Sequence, residues 1–567
     1  MAPYTISPTV SAVGTETIDS FEAPGPGFWQ LDRSHFPGGT TPIMQWLVPE
    51  AMQAAYRKQW PILGVPAETL SFQFVNGFTY TRMRPLIRPD KPSAKPPPVF
   101  LLRIASRLHP EFRRRTRAAR RNLEHSPAPA VIAEWHAVTR PRLVEQNLAF
   151  GAVDLPALDG AGLAEHLEAL LTHIRWTFEE HFRLHGYDLA PIGQLLVAGH
   201  RWGIQGGDML GALVGASPST SAPAEALRRI RDRLAEVGAS PTSLDEVAAA
   251  SSDISAALDT YLRYRGSVLF AGYDLDSPTL GESPEVVLAT ILSGADERVH
   301  DAGRLEATIV DLRRRVPDGD RDGFDDLLAR AREAMDLRDD NGPITSEWPA
   351  GLLRLTMLEA GRRMVDSGRL HEAVHVFELE RDELSLIVAD GVGPTADDLT
   401  TRAAERFHQK TLDPPQTLGV PEGTPPLDAL PAPLAETVMV ILACLSELGM
   451  VVEDAEMDGR KPLQGSGIGD EAFEGVARVA ESADEAFNRL QPGEVLVTRT
   501  TTPAYNMVLT LVGGLVTSEG GPMSHAAVLS RELGIPAVVG APGAMEAIAD
   551  GDLVEVDPVN GVVRILA

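Results

Sequence analysis

Near residue 470 the hydrophobic periodicity of this chain changes, and that change limits the architectures open to it. From about residue 99 to 450 apolar residues recur every three or four positions, as in LAEHLEALLTHIRWTFEEHF (163–182) and LLRLTMLEAGRRMV (352–365), the spacing of amphipathic helices. Beyond 470 the apolar residues gather in short β-prone runs: FEGVARVA, EVLVTRT, GLVTS, PAVVG, DLVEVD and GVVRIL. Helical stretches separate several of them, notably from Ser524 to Leu533. Strands alternating with helices over about 100 residues predict a compact α/β domain. The expected fold class is therefore multidomain, a large helical domain followed by a C-terminal β/α domain. The chain divides into an irregular segment (1–27), a mainly helical domain (28–453), a polar, Gly-containing linker (454–470) and the α/β domain (471–567).

Local features refine this division. FWQLDRSHFPGGTTP (28–42) mixes aromatic residues with turn formers and predicts an ordered loop leading to a helix around Pro49 to Trp60. Asn76-Gly77 between β-prone runs predicts a hairpin. Pro- and Gly-rich clusters at 216–224 and 274–284 read as interruptions, DGDRDGFDD (318–326) as an acidic, solvated turn without EF-hand spacing, and residues 90–98 as a loop.

Charge and cysteine usage exclude several function classes. A formal net charge of -28 opposes non-specific binding to nucleic acid or anionic lipid, and neither is expected as a partner. The basic run RRRTRAARR (113–121) reads as a solvated helix face. A single cysteine, Cys444, permits no intrachain disulfide. The N-terminus lacks the basic and apolar regions of a signal peptide, and the apolar run Val438 to Leu445 is too short to span a bilayer. A cytoplasmic location is expected.

The segment GGLVTSEGGPMSHAAVLSRELGIPAVVG (513–540) carries the chemistry. Thr517 ends a strand, Gly520 and Gly521 allow a tight turn, and Ser524 is a helix N-cap with His525 in the first turn. Free N–H groups at a helix start stabilise an anion, and a neutral imidazole can attack and hold a phosphoryl group. Gly520, Gly521, Ser524 and Arg531 are the candidate phosphate-binding residues around His525. These residues, with Ala526, Ala527, Val528, Leu529 and Ser530, resemble the phosphohistidine motif of the phosphoenolpyruvate-utilising enzymes. PGEVLVTRTTTPAY (492–505) resembles the family's strand followed by a T-x-P turn, and GIPAVVG matches its downstream block. Met523 stands where pyruvate phosphate dikinase and phosphoenolpyruvate synthase usually carry Thr, which points to the rifampicin phosphotransferase branch. FWQLDRSHFPGGTTP, VNGFTYTRM, YRGSVLFAGYDLDSPTLGESP (264–284), MDLRDDNGPI (335–344) and GRRMVDSGRLHEAVHVFELERDEL (361–384) look like blocks of that branch's substrate-binding domain.

The resemblance implies a swivelling phosphohistidine domain with His525 as its reactive residue, and an Arg-Glu pair near the acceptor matched here by Arg338 and Asp339. The basic residue that often follows in the family is absent from DDNGP. Arg265, Glu282 and Arg499 are further substrate-binding candidates. The family's ATP-grasp domain would precede this segment, and no Walker-type loop occurs. The chain is therefore expected to bind no cofactor by itself, with ATP or phosphoenolpyruvate and Mg²⁺ acting through a separate ATP-grasp subunit. The expected substrate is a hydrophobic, hydroxylated small molecule. Two enzyme mechanisms remain open: phosphotransfer through phospho-His525, or an ATP-independent dehydration, isomerisation or cyclisation with His525 as general acid/base. A non-catalytic binding protein is the third reading. No metal site is expected: HEAVH (371–375) spells a zincin motif, but Gly368 lies three residues before it, VFEL after it looks strand-like, and no third ligand follows. His200, Arg201, Trp202 and Asp208 are read as helix-end residues that could line a cleft.

Overall fold

The structure is a computed structural model that describes residues 20–32, 35–36, 38–91, 98–270, 272–292, 302–423, 426–447, 463–501, 505 and 508–566. Residues 1–19, most of the linker (454–462) and Thr502 and Pro503 of the T-x-P turn lie outside them.

One helix, Gly160–Arg201, organises the helical region. Its 42 residues extend about 63 Å at 1.5 Å per residue. Asp159 starts it by accepting a hydrogen bond from the Gly162 amide at 2.7 Å. Its apolar stripe, including Leu170, Ile174, Phe178 and Leu184, is buried. Against it pack the helices Pro42–Leu63, Arg321–Gly342, Trp348–Asp366 and Ala432–Glu447. Two π-helical turns, Trp135–Thr139 and Pro343–Glu347, lie in this core. The Trp135 indole donates to Asp340 at 3.2 Å, and Arg140 pairs with the same carboxylate at 2.5 Å. No described helix is long and apolar enough to cross a membrane.

Beside the helices lies an antiparallel sheet of β1 (Phe28–Asp32), β2 (Ala67–Val75), β3 (Phe78–Pro85) and β4 (Thr417–Gly419), in the order β2-β3-β1-β4. The β2–β3 turn places Asn76 and Gly77 at φ 49° and 74°, as a two-residue hairpin turn requires.

The C-terminal sheet comprises β5 (Leu463–Gln464), β6 (Ser466–Ile468), β7 (Phe473–Val479), β8 (Val495–Thr498), β9 (Gly514–Thr517), β10 (Ala537–Val539), β11 (Leu553–Asp557) and β12 (Val562–Ile565). Its order is β5-β12-β11-β7-β8-β9-β10-β6. β7 to β10 run parallel, and antiparallel strands flank them on both sides. β8, β9 and β10 are buried at every position, because apolar clusters cover both faces.

Several local expectations are corrected. Residues 28–32, read as loop, form β1, because pairing with β3 and β4 supplies both edges. The helix expected from Pro49 to Trp60 spans Pro42–Leu63, with Pro49 inside it and buried. The Pro-rich stretch 216–224 contains the start of the helix Pro218–Val237: Pro218 occupies the first turn, where its missing amide has no helical partner, and Pro223 lies inside the helix. The acidic stretch 318–326 becomes helical from Arg321. VFEL is not a strand: Ala373–Glu378 is a 3₁₀ helix. The last residues of the presumed linker are strands β5 and β6, whose partners β12 and β10 lie far along the chain.

Candidate functional site

Two adjacent parallel strands aim their following loops at one place. The loop after β8 carries Thr501, and the loop after β9 carries Gly520 to Ser524 and ends in the helix His525–Leu533. In open α/β sheets this carboxyl edge is where ligands bind. The second loop is tightly held. The Thr517 hydroxyl donates to the Glu519 carbonyl at 2.8 Å and accepts from the Gly540 amide at 3.2 Å. Gly520 adopts φ 107°, and a Cβ on Gly540 would lie 2.2 Å from the Gly520 carbonyl, so the turn requires glycine at both points. Arg531 donates to the Pro522 carbonyl, bracing the loop from the second turn of the helix. Ser524 caps the helix through its hydroxyl, which accepts from the Ala527 amide at 3.3 Å.

His525 thus stands at a helix N-terminus, and its Nδ1 lies 2.9 Å from the Thr501 hydroxyl. Burial and the nearby Arg338 guanidinium hold the imidazole well below its ordinary range, at about 3. The ring is therefore neutral at physiological pH.

Arg338 comes from the helical region and meets the loop directly. Its Nη2 donates to the Met523 carbonyl at 3.0 Å. The Met523 amide donates to the Glu447 carbonyl, and its side chain is buried with Ile192, Leu195, Met335 and Cys444 of the helical region. Met523, an unusual residue in the motif, is thereby the apolar anchor of the histidine loop. A crevice lined by Leu210, Met335, Arg338, Pro522, Met523 and Arg531 marks the junction.

Asp339, next to Arg338, accepts from the Thr220 hydroxyl at 2.9 Å, and burial pushes its carboxyl up from the usual range. Arg265, at the end of the helix Ser252–Arg265, lowers the pKa of Glu347, whose buried carboxyl is nonetheless pushed up to about 8 by desolvation. Burial pushes the Tyr273 hydroxyl up, with the Glu347 carboxylate adding to the rise and Arg338 opposing it, so Tyr273 lies in the field of both.

The structure thus brings together His525, Arg338, Ser524, Gly520, Gly521 and Arg531, with Asp339 beside Arg338 and Arg265 in the field of Glu347. Glu282 lies apart from this group, whereas Arg499 adjoins the histidine loop, its carbonyl accepting from the Glu519 amide at 2.8 Å. Glu282 pairs with Arg354 at 2.9 Å and accepts from the Thr279 amide, and Arg499 faces Glu481 and Glu519 at 4.0 and 3.7 Å. His371 pairs with Asp397, and no α-helix carries the HEAVH residues. Arg201, Trp202 and Asp208 pair with Glu436, Asp320 and Arg315. Thr501, Tyr273 and Glu347 were not singled out from sequence. Only Thr501 had a signal there, the T-x-P turn.

Residues 490–561 match the family model of the PEP-utilising enzyme mobile domain. The C-terminal domain belongs to the phosphoenolpyruvate-utilising enzyme family, and the chain is similar to rifampicin phosphotransferase. Identity to the rifampicin phosphotransferase of Streptomyces sviceus is 28% over 342 residues, 57% of this chain and 36% of that enzyme. Chondramide synthase of Chondromyces crocatus is 33% identical over 334 residues, 55% of this chain and 8% of that protein. Phosphoenolpyruvate synthase of Aeropyrum pernix is 40% identical over 111 residues, 20% of this chain and 14% of that enzyme. The chain thus spans about a third or less of the length of these curated relatives.

Proposed function

We propose that His525 is a phosphoryl carrier which passes phosphate to a hydroxyl group of a hydrophobic small molecule held against the helical region. The observation that carries this reading is a neutral imidazole at a helix N-terminus, fixed by Thr501 and faced by Arg338. With Nδ1 held by Thr501, Nε2 is assigned the nucleophilic role. Its lone pair attacks phosphorus, and the bond to the donor's leaving oxygen breaks. The helix N-terminus and Arg338 then stabilise the negative charge of the phosphoryl oxygens. In the second half the acceptor oxygen attacks phosphorus, and the P–N bond breaks with its electron pair returning to Nε2. The hydroxyl proton passes to Asp339, whose raised basicity suits it to accept one.

The charging step is assigned to an ATP-grasp or phosphoenolpyruvate-utilising unit distinct from the two regions described, with Mg²⁺ serving that step. The depressed basicity of His525 weighs against the rival reading as a general acid, because an imidazole with a pKa of about 3 holds almost no proton at neutral pH.

The test is phosphorylation of the purified chain with β- or γ-labelled ATP, then labelled phosphoenolpyruvate, with and without lysate of the source organism. Acid-labile label that disappears in His525→Ala supports the carrier. No label under any condition refutes it and favours a phosphate-independent reaction. Loss of turnover in His525→Ala with ligand binding intact would rule out a non-catalytic binding protein.

A further inference from the structure

A short helix stands inside out on the helical region. In Val99–Leu108 the apolar residues Phe100, Leu101, Ile104 and Leu108 are 62%, 46%, 50% and 71% exposed, whereas Ser106 is buried. At ~100° per residue the four fall within one arc of about 100°. Arg103 and Arg107 border that arc on one side. A globular helix turns such a stripe inward.

The helix that follows after one residue, Pro110–Glu124, adds exposed positive charge beside this stripe. Residues 99–124 contain eight arginines and two glutamates, in a chain whose net charge is -28. Arg114 and Arg115 pair with Glu111, and Arg103 pairs with Asp428. Arg107, Arg113, Arg117, Arg120 and Arg121 are exposed, with no acidic partner among the described residues. The acidity that opposes lipid binding by the chain as a whole is reversed here, within a patch wider than the roughly 8 Å over which salt screens charge.

We propose that this helical hairpin is an interfacial anchor, which inserts Phe100, Leu101, Ile104 and Leu108 into an anionic lipid surface. Outward-pointing apolar side chains suit a fluid interface, which needs no shaped groove to receive them. Unpaired guanidinium groups suit lipid phosphates, which they grip bidentately. The acidic remainder of the protein is repelled by the same surface, so the basic hairpin faces it.

The test is co-sedimentation of the whole chain with vesicles of equal parts phosphatidylglycerol and phosphatidylcholine, against vesicles of phosphatidylcholine alone. Binding is expected to the anionic vesicles, about tenfold tighter than to the neutral ones, and to fall steeply at high salt. Phe100→Ser/Ile104→Ser/Leu108→Ser, and separately Arg113→Gln/Arg117→Gln/Arg120→Gln, should each weaken it by about tenfold with an unchanged melting curve. The proposal fails if wild type stays in the supernatant with both vesicles, or if the serine variant sediments like wild type. It also fails if light scattering shows a wild-type oligomer that the serine variant dissolves, because the face is then a protein interface.

Discussion

Docking of the histidine loop on the helical region should weaken as pH falls, in a narrow and predictable window. In the docked pose His525 titrates at about 3, against an ordinary value of 6.5. An undocked imidazole would therefore bind a proton below 6.5 that the docked one must shed. The docked state is at full strength above that value and loses ground as pH drops through it, until about 3 is reached. Between pH 7.5 and 5.5 the docking constant should fall about tenfold, or about 1.4 kcal/mol. Asp339 and Glu447 act with the opposite sign, because burial raises both carboxyls above their usual range. His525→Gln separates the contributions, since it removes the imidazole and leaves both carboxyls. Small-angle scattering across the window would report the docked fraction through the maximum dimension. A dimension that does not change with pH, or a response identical in His525→Gln, would refute the reasoning.

Three further outcomes are expected. Met523→Thr removes most of a buried apolar side chain and leaves a hydroxyl in its place, so docking should weaken by about 2 kcal/mol while the melting of the C-terminal domain stays put. Scattering and calorimetry would show the two effects apart. Arg338→Met removes a cation beside His525, so the ring's pKa should rise, measurable by NMR titration, and phosphate transfer to the acceptor should slow by roughly 10²-fold. Glu347→Gln should stabilise the chain by up to about 3 kcal/mol at pH 7, because a carboxyl held near 8 in the fold must take up a proton that the unfolded chain releases near 4.5. The gain should vanish near pH 4.5, checked by denaturant melts at both values.

The histidine loop was legible because its signals are local. A glycine forced to φ 107°, a serine cap and a helix-starting histidine are fixed within a few residues of one another. The hairpin at Asn76-Gly77 was legible for the same reason. Strands β5 and β6 were not, because nothing within Leu463 to Ile468 makes a strand until β12 and β10 supply partners. Pro49 misplaced a helix start because local propensity counts an interior proline as a breaker, whereas packing against Gly160–Arg201 holds that helix together.

The sequence by itself determined the alternation of strand and helix after residue 470 and the chemistry available at His525. Both follow from periodicity and from backbone conformations that only certain residues adopt. Tertiary structure alone decided what that histidine meets. Arg338 lies 187 residues before it in sequence, yet reaches the carbonyl of Met523, two residues from His525. Met523 acquired its role as an anchor only when the core around Leu195 and Met335 closed over it. The basicity of His525 was likewise settled by burial and by that arginine, because desolvation and Coulomb fields depend on distance in space and not along the chain.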